Sequence, residues 1–284
     1  MADTSGGRSR LLTAALVGPA AAFFALLLVL PLVVVLIYSF GERAPAGGYA
    51  PGFTLANYQN LPARSTAFLN TLTLAPIGTL FCALIAYPLA YFLAVKVTAR
   101  WRVLLLVLVV VPFWTSQLLR IYAWLMILGN QGLPRVFALA GIEDLRIVNT
   151  PAAVLIGMVY GYLPLMVLPI YASMEKLDFR MVEAGYDLYA GRLAVLRRII
   201  IPLVKPGIIA GSILVFIPAL GAYVTPALLG GGKKMMVSNL ISLQFGQGRN
   251  WPLGAALSIA LMAVVMVALL IYVRNASRSS ERTH

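Results

Sequence analysis

Six long apolar runs limit what this chain can fold into: residues 11–38, 67–95, 103–128, 151–172, 208–229 and 253–273. Each reaches the ~20 residues an α-helix needs to cross a ~30 Å hydrocarbon core. Lipid offers no partner to backbone N–H and C=O groups, so runs of this kind become helices that satisfy themselves. The polar residues could not cover a soluble globule, because 61% of the 284 residues are hydrophobic and only 11% are charged. Soluble domains carry about a quarter charged residues. The expected class is an all-α integral membrane protein with six transmembrane helices.

Prolines sit inside most of these runs: Pro19, Pro31, Pro76, Pro88, Pro112, Pro164, Pro169, Pro218 and Pro226. Such breaks persist in lipid where neighbouring helices or water take up the freed carbonyls. That pattern favours a packed bundle around a pathway over a simple anchor. The first run follows Arg8 and Arg10 and contains Ala20-Ala21-Ala22, as a cleaved signal does. It is far longer than the ~7–15 apolar residues of a signal core, so an uncleaved first helix is expected.

Charge placement sets the orientation. With the N-terminus inside, fourteen cationic residues fall on the inner side: Arg8, Arg10, Lys96, Arg100, Arg102, Lys176, Arg180, Arg192, Arg197, Arg198, Lys205, Arg274, Arg278 and Arg282. Seven fall outside: Arg43, Arg64, Arg135, Arg146, Lys233, Lys234 and Arg249. Arg120, within a run, completes the twenty-two. The positive-inside rule then places both termini and the loop 173–206 in the cytosol. The net charge of +13 reads as an orientation signal and a match for anionic lipid. Nucleic acid is not an expected partner, because the cations flank apolar runs instead of forming one patch with interleaved aromatics.

The loop 173–206 is the richest polar segment. Residues 177–189 lack proline, and Met181, Ala184 and Leu188 fall at helical spacing among Lys176, Arg180, Glu183 and Asp187, which predicts a short amphipathic helix. Gly191 predicts a break, and residues 192–201 a second short helix ended by Pro202 and Pro206. The same pattern also fits an interfacial helix with snorkelling Arg and Lys.

The segment from Glu183 to Gly207 resembles the EAA loop of permease subunits of type I ABC importers. The family pattern has Glu-Ala-Ala, a glycine six positions after the Glu, and a closing Ile-x-Leu-Pro. Here Glu183-Ala184-Gly185 opens the segment, and Ile199-Ile200-Ile201-Pro202 ends it nineteen positions after Glu183. Two residues depart from the pattern. Gly185 stands for the second Ala, and Tyr189 holds the glycine position, with Gly191 two residues later. Phe113-Trp114-Thr115, Arg120–Trp124, Phe216–Gly221, Thr225–Gly231 and Asn250–Gly254 are similar to the first permease subunit of spermidine/putrescine importers. The resemblance implies half of a translocation pathway, with residues 67–273 as permease core, 1–66 as first helix and outer loop, and 274–284 as cytosolic tail. It implies a homologous second permease subunit, two ATPase subunits gripping the loops, and an extracytoplasmic solute-binding protein in a bacterial inner membrane. Glu183, Ala184, Gly185, Asp187, Tyr189, Gly191 and Pro202 become the ATPase-coupling residues. The substrate implied is a polyamine; opines, phosphonates and other small solutes stay open.

Several absences in the sequence bear on mechanism. Gly230-Gly231-Gly232-Lys233-Lys234 lacks the spacing of a phosphate loop, so ATP and Mg are expected on partner chains. The chain is not expected to be an enzyme. The lone histidine is His284 and the lone cysteine Cys82; no metal site and no intrachain disulfide are expected. No Asp or Glu falls within the six runs, which counts against a self-sufficient proton- or sodium-coupled carrier. A membrane scaffold is the third class. Arg120 reads either as a pathway or gate residue or as a structural ion pair or carbonyl clamp. Trp114, Tyr122, Trp124, Tyr160, Tyr162 and Tyr223 could face an amine through cation–π contacts or serve as packing and interfacial residues.

Overall fold

The computed structural model describes residues 5–142, 145–232 and 235–281, with side chains for 15–142, 145–232, 235–270 and 274. Arg8, Arg10, Lys233, Lys234, Arg278, Arg282 and His284 lie outside the residues whose side chains are described. The chain divides into two compact units, Met1–Ala63 with Ile241–Val264 and Arg64–Leu240 with Val265–His284.

The first unit begins with α1 (Ser5–Ser39), whose apolar side chains from Leu16 to Leu30 are exposed, as suits a surface that meets lipid. A two-residue hairpin follows, β1 (Glu42–Arg43) paired antiparallel with β2 (Tyr49–Ala50), then α2 (Ala56–Gln59). The hairpin is held by the Tyr38–Tyr49 ring stack at 4.2 Å, by Arg43 Nη2 donating to Gly248 O at 3.0 Å, and by Gly48 N donating to Arg249 O at 2.7 Å.

The second unit is a helix bundle. Its elements are α3 (Ser65–Tyr91) with a π-turn at Phe92–Lys96, α4 (Ala99–Trp114), α5 (Gln117–Leu128), α6 (Leu133–Leu139) and α7 (Pro151–Glu175). Then come α8 (Arg180–Asp187), α9 (Arg192–Val195), a π segment (Leu196–Ile200), α10 (Ile201–Leu220), α11 (Val224–Leu229) and α12 (Val237–Phe245), which belongs to this unit as far as Leu240. The long α13 (Trp251–Glu281) closes the described chain. α3, α7 and α10 pack on one another. Small residues let these backbones approach, as membrane helices require: a Cβ on Gly207 would lie 2.5 Å from Pro169 O, and one on Gly211 2.8 Å from Met166 Sδ.

Two apolar clusters occupy opposite ends of this unit. One joins Leu93, Met166, Ile170, Met174, Val182, Val195 and Val204 near α8. The other joins Leu74, Ile121, Met158, Leu220 and Leu229 near α5 and α11.

Five helices are long and apolar enough to cross a membrane, and six if α4 and the segment that follows it form one span. The run 103–128 is not one continuous helix: α4 and the segment Gln117–Leu139 meet at 93°. Thr115 and Ser116 are extended there, and Thr115 Oγ1 donates to Pro112 O at 2.7 Å. The hydroxyl supplies the donor that a continuing helix would have given. The run 208–229 likewise ends its helix at Leu220 and restarts at Val224.

One expectation needs correction: Pro202 and Pro206 do not end a short helix. The chain is helical from Arg192 to Leu220. Pro202 has no N–H for the preceding turn, and a mid-helix proline normally breaks the ladder. Here the π segment Leu196–Ile200 comes immediately before it and re-registers the carbonyls, the usual structural role of a π-bulge.

Candidate functional site

The loop after α7 folds as a helical hairpin. Asp178 Oδ1 accepts from Arg180 N at 3.0 Å, which satisfies one of the free donors at the start of α8. The helix is shorter than the sequence suggested, because residues 177–179 lie outside it. It faces inward through Val182 and Gly185, both buried. A Cβ on Gly185 would lie 2.6 Å from Ile199 Cδ1 and 3.4 Å from Val195 Cγ2. The missing side chain of Gly185 lets α8 close onto the helix that follows. Glu183, Ala184 and Asp187 are exposed, and so is the apolar stripe of Met181 (51%) and Leu188 (81%).

The end of α8 explains the departure at Tyr189. Ala190 N donates to Gly185 O at 3.1 Å, and Tyr189 N to Tyr186 O at 2.9 Å. Those two bonds define a Schellman cap, whose second-last residue must adopt the left-handed conformation. That residue is Tyr189, at φ 57°. Gly191 is extended and opens α9. The turn is therefore at the family's glycine position, occupied here by tyrosine. A non-glycine residue in this conformation costs about 1–2 kcal/mol. Tyr189 is 99% exposed, so no contact of its ring within the described residues offsets that cost. Pro202 is exposed on the continuous helix beyond the π segment.

The aromatic and cationic candidates fall at the other end of the unit. A shallow cleft is lined by Gln117, Arg120, Trp124, Tyr160, Gly161, Tyr162 and Thr225, among others. Arg120 Cζ lies 5.6 Å from the centre of the Phe113 ring, a cation–π distance. Its Nε is buried without an acceptor, and among the described residues it forms no ion pair. Trp124 and Tyr160 meet edge to face at 5.5 Å, and Tyr162 Oη donates to Pro218 O at 3.2 Å. The cleft therefore unites Arg120 and Tyr160 but not Trp114, Tyr122 or Tyr223, which are 78%, 53% and 52% exposed elsewhere. Gly157 packs against Thr225 and Leu229, whereas nothing stands within 4 Å of a Cβ on Gly161. Only the first glycine of that pair is a packing contact; the second opens onto the cleft. Gln117 carried no signal in the sequence, since a single polar residue inside an apolar run has no periodicity to mark it, and Thr225 was marked only as part of the segment Thr225–Gly231.

The break between α10 and α11 leaves carbonyls that α12 satisfies. Ser238 Oγ donates to Ala222 O and Asn239 Nδ2 to Tyr223 O, both at 2.6 Å. Asn239 Oδ1 also accepts from Met236 N at 3.1 Å. Irregular backbone at membrane depth survives only where the protein satisfies it in this way.

A bundle of apolar helices with irregular backbone facing a cleft and an exposed helical hairpin between two spans is the design of a transport permease. Residues 86–280 match the family described as "Binding-protein-dependent transport system inner membrane component". The chain is 45% identical over 250 residues to the spermidine/putrescine transport system permease protein PotB of Escherichia coli (strain K12), covering 86% of this chain and 90% of that protein. It is 44% identical over 256 residues to the PotB protein of Haemophilus influenzae, with 88% and 87% covered. In fold it resembles a bacterial ABC transporter involved in the import of the acidic polysaccharide alginate, at a TM-score of 0.74, 17% identity and 96% coverage of both chains. The chain belongs to the binding-protein-dependent transport system inner membrane components, and it is a permease subunit of an ABC importer.

Proposed function

We propose that this subunit forms half of the translocation pathway for a polyamine such as spermidine or putrescine. The 45% identity over 250 residues to a spermidine/putrescine permease carries the reading. Arg120 stands over the Phe113 ring, which occupies part of its charge. In this reading both termini and the α8 hairpin lie in the cytosol, a second homologous permease completes the pathway, and a binding protein delivers the solute from outside. Two ATPase subunits bind ATP and Mg and grip the hairpins. The exposed Glu183, Ala184, Asp187, Met181, Leu188 and Tyr189 form the contact, while Gly185, Gly191 and Pro202 shape the hairpin behind it. The protruding Tyr189 ring favours this assignment, because strain held at an exposed residue is commonly offset at an interface.

The test is uptake of labelled spermidine and putrescine into proteoliposomes holding the two permeases and the ATPase subunits, with loaded binding protein added. ATP-dependent uptake of both amines is expected. Uptake by this chain alone under an ion gradient, or ATP-dependent uptake of other solutes only, overturns the reading.

A further inference from the structure

One guanidinium ties three helix ends together just before the hairpin. Arg102, in the first turns of α4, donates from Nη2 to Ala94 O at 3.1 Å and to Val97 O at 3.3 Å. These carbonyls lie at the end of the α3 π-turn, where the helix no longer supplies donors. Its Nη1 stands 3.7 Å from Glu175 Oε1, and the same oxygen accepts from Tyr171 Oη at 2.9 Å. Glu175 is the last residue of α7.

Three observations need a reason. A carboxylate at a helix C-terminus opposes the helix dipole, so Glu175 sits where its charge is locally unfavourable. The pair is partly exposed, at 28% and 51% for the two side chains, and such pairs add little to stability. Arg102 Nε is buried without an acceptor, a cost a purely stabilising contact would avoid. What the pair does achieve is geometric. Four residues separate Glu175 from the start of α8, and Leu177, Phe179 and Val182 pack into the same apolar cluster as Leu93, Ala94 and Val97. Any displacement of α8 thus reaches the α3–α4 elbow through this cluster and the guanidinium, and α4 leads on to the bend and the Arg120 cleft.

We propose that Arg102, acting on Glu175 and on the Ala94 and Val97 carbonyls, is a positioning residue that transmits movement of the α8 hairpin to the α3–α4 elbow. The inference rests on the reading that the hairpin receives the ATPase, and adds the link by which that contact moves the bundle. The fork of arginine suits this geometry best, since lysine offers a point charge that reaches fewer of the two carbonyls and the carboxylate at once.

The test uses the full transporter in nanodiscs and reads ATPase turnover with and without loaded binding protein, together with co-purification of the ATPase. Arg102→Ala is expected to lower the stimulated-to-basal ratio about tenfold, the scale of typical coupling between sites. Basal turnover and ATPase content should stay within about twofold, Arg102→Lys should restore part of the ratio, and the isosteric Glu175→Gln should lower it by about threefold. A merely structural role would lower basal turnover and assembly together. If Arg102→Ala does not assemble, Glu175→Gln alone decides. An unchanged ratio in an assembled variant overturns the proposal, as does a ratio that falls only in step with assembly. Failure of the wild-type chain to co-purify with the ATPase would instead overturn the hairpin reading.

Discussion

The two ends of the Arg64–Leu240 unit handle proline in opposite ways. Near the hairpin, Pro202 and Pro206 stand in a helix continuous from Arg192 to Leu220, with the π segment Leu196–Ile200 absorbing the missing donor. Near the cleft, the helices break at Thr115–Ser116 and at Gly221–Tyr223, and side chains take up the freed carbonyls. A continuous helix passes on a displacement as a rigid body, whereas a break held by side-chain bonds can rearrange. In the proposed reading, the hairpin end would transmit and the cleft end would change, as alternating access requires.

Gly207→Val gives the largest expected effect. The new side chain meets Pro169 O and Ser173, and backbone cannot yield as a flexible side chain can. Overpacking of this kind costs about 3 kcal/mol, and reversible unfolding in mixed micelles should show it together with poor membrane insertion. A stable, well-inserted variant would mean that the hairpin end is not the tightly packed body described.

Asn239→Ala addresses the opposite end. It leaves Met236 N without an acceptor and removes the side-chain bond to Tyr223 O, which keeps the Ala227 N–H, and an unsatisfied buried polar group costs about 2 kcal/mol. The same unfolding measurement applies, and a thiol-labelling probe at position 223 should react faster as the α10–α11 break loosens. Lost stability without faster labelling would show that α12 merely packs there.

Much of this contrast was hidden in the sequence. Hydropathy averages over ~20 residues, so the spans were legible, and the nineteen-position spacing from Glu183 to Pro202 marked the hairpin. The breaks were not legible, because proline reads alike in both contexts: Pro76, Pro88, Pro164 and Pro169 lie inside unbroken helices, as Pro202 does. What separates them from the breaks at Thr115–Ser116 and Gly221–Tyr223 is the backbone that follows the proline and the side chains that hold it, such as Ser238 on Ala222 O, and hydropathy does not record either. The same limit applies at Gly185, where a small residue reads identically whether it faces a partner or its own hairpin. The Arg102–Glu175 contact joins residues seventy-three positions apart and carried no local signal.

Tyr189→Gly is the smallest expected effect and the one that separates fold from function at the hairpin. Glycine adopts φ 57° without the steric cost that tyrosine bears. Its greater freedom in the unfolded chain offsets part of that relief, so a net stabilisation of about 0.5 kcal/mol is expected from the balance of the two terms. If the ring serves only the turn, the variant should be more stable and should bind the ATPase as well as before. If the ring is held out for the partner, stability should rise while ATPase retained on co-purification falls severalfold. The two quantities then move in opposite directions, which neither a folding defect nor a neutral turn can produce.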